Sequence, residues 1–341
     1  MKQVVLTDVK KLEIQETSEP VVSNGNVLMK VTKASICGSD IHYWEVGQPR
    51  GVVFGHEFAG IVEDPGNRKD LKVGDRVMGV PFSSCGECEM CKAGKPQLCK
   101  DVMTSAVGLS LTNPGAYAEK VLVREDHVLK LSDNVSDNEG AMVEPAAVVY
   151  HGIKLININK NDKVLVIGGG IIGNLAAMFA KKYGASLVVL SETNEARGKK
   201  AIEVGDADQW LNALDADFVK NALTISQGGF DVVIDCCGNG PAINQGLLSI
   251  KKDGIYLLIG VSLVPVAIRT GLIPSKEITI KGSFSSSLEE FEIILDMMDK
   301  KEIDVERFID ETIGLEEAQD AFERLVSPTC TSVKIVIDPT K

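Results

Sequence analysis

Two runs place metal-ligand side chains close together: C-G-S-D-I-H-Y-W-E over residues 37–45 and G-H-E-F-A-G over 55–60. Cys37, His56 and Glu57 supply a thiol, an imidazole and a carboxylate within a loop-and-return of about twenty residues. These are ligand types for a borderline-soft divalent ion such as zinc. Glu144 is a second contender for the carboxylate position. Three protein ligands leave one position open, the count for a catalytic zinc. Such a zinc lowers the pKa of a hydroxyl and primes its carbon to give up hydride to a nicotinamide ring. Ser39, two residues from Cys37, can accept the released proton, and His42 can carry it towards solvent, its ordinary pKa being about 6.5.

A second set of thiols has the pattern Cys85-x2-Cys88-x2-Cys91-x7-Cys99. Four thiolates at this spacing suit a closed tetrahedral zinc with a structural role, and the spacing differs from the common ferredoxin run. The other cysteines, Cys236, Cys237 and Cys330, read as small buried hydrophobes, and His127 and His151 as surface or hydrogen-bonded histidines.

Gly168-Gly-Gly170-Ile-Ile-Gly173 follows the apolar run Val164–Ile167 and opens a helical pattern. In that context the glycines give a tight turn, close approach of a pyrophosphate to the backbone, and close helix–strand packing. Glu192 lies nineteen residues beyond Gly173, at the end of the next apolar run. A carboxylate there accepts from ribose hydroxyls and repels a 2′-phosphate, which favours NAD over NADP. Arg197 could stack on adenine or weaken that choice.

These residues need two kinds of scaffold. Residues 1–36, 72–79 and 117–123 carry short β-type runs separated by turns such as Asn24-Gly25. From Val143 the texture becomes strand–helix–strand, which means a parallel sheet with crossover helices. The last strand of that series is expected at Ile278–Phe284, followed by helices over Leu288–Met298 and Leu315–Leu325 and a closing strand over Ser332–Ile337. The expected layout is a β-rich domain over 1–146 and 285–341 split around an α/β domain over 147–284. At 341 residues the chain has room for both. A net charge of −12 argues against nucleic-acid partners and anionic membrane surfaces. No window reads as a signal peptide or membrane span, and the expected compartment is the cytoplasm.

The motifs I-C-G-S-D-I-H (36–42), G-H-E-F-A-G (55–60), V-G-D-R-V (73–77), the four cysteines, G-A-Y-A-E (115–119), V-E-P-A-A (143–147) and the 168–173 glycines resemble the zinc-dependent medium-chain dehydrogenases. Within them, H-Y-W-E-x-G (42–47) looks most like sorbitol dehydrogenase and its polyol-oxidising relatives. The resemblance implies a GroES-like catalytic domain around a doubly wound Rossmann domain, two zinc ions per chain, NAD, and a homodimer or homotetramer. It implies Cys37 and His56 as ligands completed by Glu57 or Glu144, with Glu144 ranked slightly ahead, and Tyr43 bordering the substrate. The expected cofactor contacts are Gly168, Gly170, Ile172, Gly173, Glu192, Arg197, Val261 and Phe284. The segment 38–55 is short for a sorbitol dehydrogenase, and Ser283-Phe284-Ser285-Ser286 lacks an arginine that polyol enzymes carry there. Threonine, butanediol or sugar-alcohol-phosphate oxidation is therefore the alternative within the family, and a silent NAD-binding protein the alternative outside it.

Overall fold

The computed structural model describes residues 1–23 and 25–341, so Asn24 of the Asn24-Gly25 turn lies outside the described residues. The chain divides into two compact units, Met1–Ala147 with Ser286–Lys341, and Val148–Ser285.

The first unit opens with the antiparallel pair β1 (Lys2–Asp8) and β2 (Lys11–Glu16), then β3 (Asn26–Ser35), α1 (Gly38–Val46), β4 (Phe58–Asp64) and β5 (Arg76–Gly79). The cysteine lobe carries the short helix α2 (Glu89–Lys92), and β6 (Lys120–Arg124), β7 (Val128–Lys130) and α3 (Asp137–Ala141) follow. Strand β3 shows why the sequence folds this way: Val27, Met29 and Val31 are buried while Asn26, Leu28, Lys30 and Thr32, which alternate with them, are partly or fully exposed, the period of a half-buried strand. Their partners in the core are Phe54, Phe58 and Tyr117.

Helix α4 (Val143–Ile156) leads into the second unit. Its elements are β8 (Lys163–Ile167), α5 (Ile171–Lys182), β9 (Leu187–Glu192), α6 (Glu195–Glu203), β10 (Gln209–Asn212), α7 (Phe218–Ile225), β11 (Phe230–Asp235), α8 (Gly240–Ser249), β12 (Ile250–Leu258), α9 (Leu272–Lys276) and β13 (Thr279–Gly282). All adjacent pairs are parallel, in the order β10-β9-β8-β11-β12-β13. This is the doubly wound order, whose switch point falls between β8 and β11.

The first unit is then completed by α10 (Leu288–Asp299), β14 (Ile309–Ile313), α11 (Ala318–Leu325) and β15 (Lys334–Ile337). Strand β15 pairs with the end of β3, at Val336↔Ser35 and Ile337↔Ala34, while β6 covers the other end of that edge. Phe322 of α11 packs on Trp44, Phe54 and Tyr117.

Several elements were not anticipated, strand β4 and helix α7 among them, and three show why. Residues 38–46 form a helix rather than a loop, because the Asp40 carboxylate accepts the Cys37 N–H at 3.2 Å and Gly47, at φ 66°, ends it in the left-handed region. Strands β10 and β14 were not anticipated; at 4 and 5 residues they show too little alternation to stand out.

Candidate metal and nucleotide sites

The pairing of β3 with β4 builds the first cluster. Ala34 stands opposite Phe58, and the Ser35 N–H donates to the Glu57 carbonyl at 2.8 Å. The residue that caps α1, Cys37, is thereby brought to the residues that open β4, His56 and Glu57. One ligand atom from each of Cys37, His56 and Glu57 lies within 4.8 Å of the others. Glu144, the carboxylate ranked slightly ahead, is not a member of this group. Strand register holds Glu57 in place, whereas Glu144 sits in the first turn of α4. Burial, reinforced by Glu57 and opposed by His56 and Lys334, pushes the Glu144 carboxyl up to about 7.

The ring of His56 is oriented from behind. Its Nδ1 lies 3.3 Å from Asp40 Oδ1, while Nε2 lies 3.5 Å from the Ser39 hydroxyl. Burial would lower this imidazole, but Asp40 and Cys37 outweigh burial and hold it well above its ordinary value. Burial, then Glu57, pushes the Cys37 thiol up. Ser39 donates to Cys37 Sγ at 3.2 Å. His42 is exposed one turn further along α1. Tyr43 is half-buried against the core of this unit.

A divalent cation fits this donor set. Glu57 is 1% exposed, and its Oε1 is buried without a hydrogen-bond partner. Cys37, Asp40 and Glu57 would together carry three negative charges around one buried ammonium, that of Lys334. The two charges of a zinc ion balance that set.

The four cysteines also converge, with Sγ atoms within 4.8 Å of one another. Separations of 3.5 Å (Cys88–Cys91) and 3.9 Å (Cys85–Cys91) bracket the edge of about 3.8 Å that a Zn–S length of about 2.3 Å gives a tetrahedron. Peptide N–H groups of Cys91 and Lys100 bring the Cys88 thiol down to about 6, and those of Cys85 and Asp101 lower Cys99. Backbone donors thus favour two of the thiolates that zinc requires, whereas burial and then the Cys88 thiol push Cys91 up to about 11.

In the second unit the expected cofactor residues gather at the carboxyl ends of the strands. Gly168 follows β8 with φ 107°, and Gly170 caps α5. A Cβ on Gly173 would lie 1.8 Å from the Gly168 carbonyl oxygen, so only glycine allows this contact. Ile172 stands in the first turn of α5, Arg197 in that of α6, and Val261 and Phe284 are exposed beyond β12 and β13. Glu192 closes β9; its Oε2 accepts the Gly169 N–H at 2.7 Å, and its Oε1 accepts those of Thr193 and Asn194. The carboxylate thus braces the glycine loop.

Asp235 and Cys237 were not singled out for this site. Asp235 is fully buried, and its Oδ1 accepts the N–H groups of Cys237 and Gly238 at 2.7 and 2.8 Å, shaping the turn after β11. Cys237 is exposed, not a buried hydrophobe, because it lies in this turn beyond the strand. Its Sγ would be 2.7 Å from a Cβ on Gly168. The strand–turn sequence Val-Val-Ile-Asp-Cys-Cys-Gly over 232–238, at the switch point, was the available signal.

Residues 23–133 match the alcohol dehydrogenase GroES-like domain, and residues 172–300 match the zinc-binding dehydrogenase domain. A sorbitol dehydrogenase of Halalkalibacterium halodurans is 33% identical over 96% of this chain and 95% of that protein. A Sinorhizobium meliloti chain solved bound to NADP superposes with a TM-score of 0.89 at 31% identity, covering 99% of both chains. The 2R,3R-butanediol dehydrogenase of Bacillus subtilis superposes with a TM-score of 0.88 at 27% identity, also over 99% of both. With its parallel sheet in doubly wound order and its two sets of zinc-ligand side chains, the chain belongs to the zinc-dependent medium-chain dehydrogenase family.

Proposed function

We propose that this chain oxidises a secondary alcohol or polyol, or reduces the corresponding ketone, with NAD as the hydride partner. The observation that carries this reading is the Cys37–His56–Glu57 cluster with the Ser39 hydroxyl against two of its members. Cys37, His56 and Glu57 hold the catalytic zinc, with Glu144 as the alternate carboxylate, and the four cysteines hold a structural one. When bound, zinc supplies the charge that acidifies the substrate hydroxyl, and NAD supplies the hydride acceptor.

The chain's own groups handle the proton and the orientation. Ser39 Oγ receives the hydroxyl proton, and His42, exposed on the same helix, passes it to solvent. Asp40 keeps Nε2 of His56 directed at the ligand cluster. Glu192 holds Gly169 and presents the negative charge that favours a free ribose over a 2′-phosphate. Tyr43 borders the substrate. The short 38–55 segment and the serines of 283–286 favour a small diol or a phosphorylated sugar alcohol as the second reading.

A homodimer or homotetramer is the expected assembly. Strand β13 stands at the end of its sheet, and the segment after β12 exposes Val261, Leu263, Val264, Val266 and Ile268. An open edge beside apolar side chains favours pairing between copies. Among the described residues, no helix is long and apolar enough to cross a membrane.

The test is a panel of polyols, diols, threonine and alditol phosphates, assayed with NAD and with NADP beside zinc analysis. Turnover of a secondary alcohol with NAD, lost in Cys37→Ser, supports the proposal. NADH binding without turnover across the panel would favour a silent nucleotide-binding protein instead.

A further inference from the structure

Lys334 is 1% exposed, within a strand whose four residues are all buried. A lysine is rarely found so deep unless its charge is matched. Its Nζ donates to Glu57 Oε2 and, at 2.9 Å, to the Ile36 carbonyl. The hydroxyl of Ser35 reaches the same Glu57 oxygen and lies 3.1 Å from the Ala141 carbonyl. All the contacts on Glu57 therefore fall on Oε2. The other oxygen, Oε1, is buried without a partner, and Glu57 shares one cluster with Cys37 and His56.

We infer that Lys334, aided by Ser35, is a positioning residue that selects Glu57 over Glu144 as the carboxylate ligand of the catalytic zinc. This rests on the zinc reading above. A carboxylate gripped at one oxygen by an ammonium and a hydroxyl has little freedom to turn. Its second oxygen, which has no partner of its own, keeps one direction. The grip is delivered by the fold: β15 pairs with the end of β3 and puts Lys334 beside Ile36 and Glu57. The Lys334 charge also reaches Glu144, but the hydrogen bonds of its Nζ go to Glu57 and Ile36, and Glu144 stands outside the cluster. Without Lys334, Glu57 loses the contact that aims its free oxygen at the cluster, and the carboxylate place opens to Glu144.

The test uses the full-length holoenzyme and its Co(II)-substituted form, comparing Lys334→Gln, Lys334→Arg, Ser35→Ala, Glu57→Gln and Glu144→Gln. Zinc release to a chelator and the Co(II) d–d spectrum are the readouts. Lys334→Gln should release the Cys37-site zinc about tenfold faster or more and alter the spectrum, while the four-cysteine zinc stays bound. Lys334→Arg should restore both. Glu57→Gln should speed release in the parent and add nothing to Lys334→Gln, whereas Glu144→Gln should matter only beside Lys334→Gln. A folded Lys334→Gln protein with parental release and spectrum would overturn the inference. If that variant does not fold, Ser35→Ala decides: a shift in the same direction supports the grip, and parental behaviour overturns it. A parent that holds only the four-cysteine zinc defeats the dehydrogenase reading itself, which separates the two failures.

Discussion

Asp40 lies 3.3 Å from Nδ1 of His56, and its other carboxylate oxygen accepts the Tyr117 hydroxyl at 2.7 Å. That oxygen also takes the Cys37 N–H. One fully buried carboxylate therefore stands beside the ring of one proposed zinc ligand and holds the backbone of another. Asp40→Asn should loosen both, and losing a partner that orients a ligand from behind costs about 10–100-fold in metal affinity or activity. Zinc retained after dialysis against a graded chelator checks this, with Tyr117→Phe expected to show a smaller effect in the same direction.

Cys37, His56 and Glu57 were legible in the sequence because they flank strands that pair as neighbours, so short spacing and spatial closeness coincide. The glycine loop was legible because its mechanism needs glycine at fixed steps. Lys334 was not, since 277 residues separate it from Glu57 and a lone lysine in an apolar strand carries no pattern. The strand register that groups Glu57 with Cys37 and His56 is not contained in a residue list. Helix α1 was hidden for a similar reason: its signal is the reach of Asp40 back to Cys37, not an apolar stripe.

Gly173 offers a test at the nucleotide site. An added methyl would meet the Gly168 carbonyl oxygen at 1.8 Å, and backbone cannot swing aside as a side chain can. Gly173→Ala must push α5 off β8, an overpacking cost of about 1–3 kcal/mol. The same displacement moves the helix N-terminus that holds the pyrophosphate. Expected together are a lower thermal midpoint and NADH affinity weakened by about tenfold or more, roughly 1.4 kcal/mol. Calorimetry and fluorescence titration with NADH read these out, and zinc content should not change.

The cysteine lobe should behave differently from the Cys37 cluster. Cys91→Ser removes a thiol that lies 3.5 Å from Cys88 and 3.9 Å from Cys85. Metal binding at such a site is coupled to folding of the segment that supplies the ligands. Zinc should fall from two equivalents per chain to one, and the thermal midpoint should drop or the assembly should change. The turnover of the surviving folded fraction should persist. Loss of turnover with the fold and one tightly held zinc intact would assign the lobe a direct part in catalysis.

His127 gives a pH dependence whose sign can be worked out. It is 7% exposed, with Nδ1 2.7 Å from Asp126. Burial lowers its pKa below the ordinary 6.5, outweighing the opposing pull of Asp126. The unfolded chain therefore takes up a proton at a higher pH than the folded chain does. The stability tied to neutral His127 is fully present above 6.5 and is lost as pH falls from there through the folded value. Proton NMR titration should place the His127 midpoint below the ordinary value of 6.5. Urea midpoints measured between about pH 7.5 and about pH 5.5 should fall less steeply for His127→Asn than for the parent. Equal slopes in the two proteins would show that this imidazole does not titrate on unfolding.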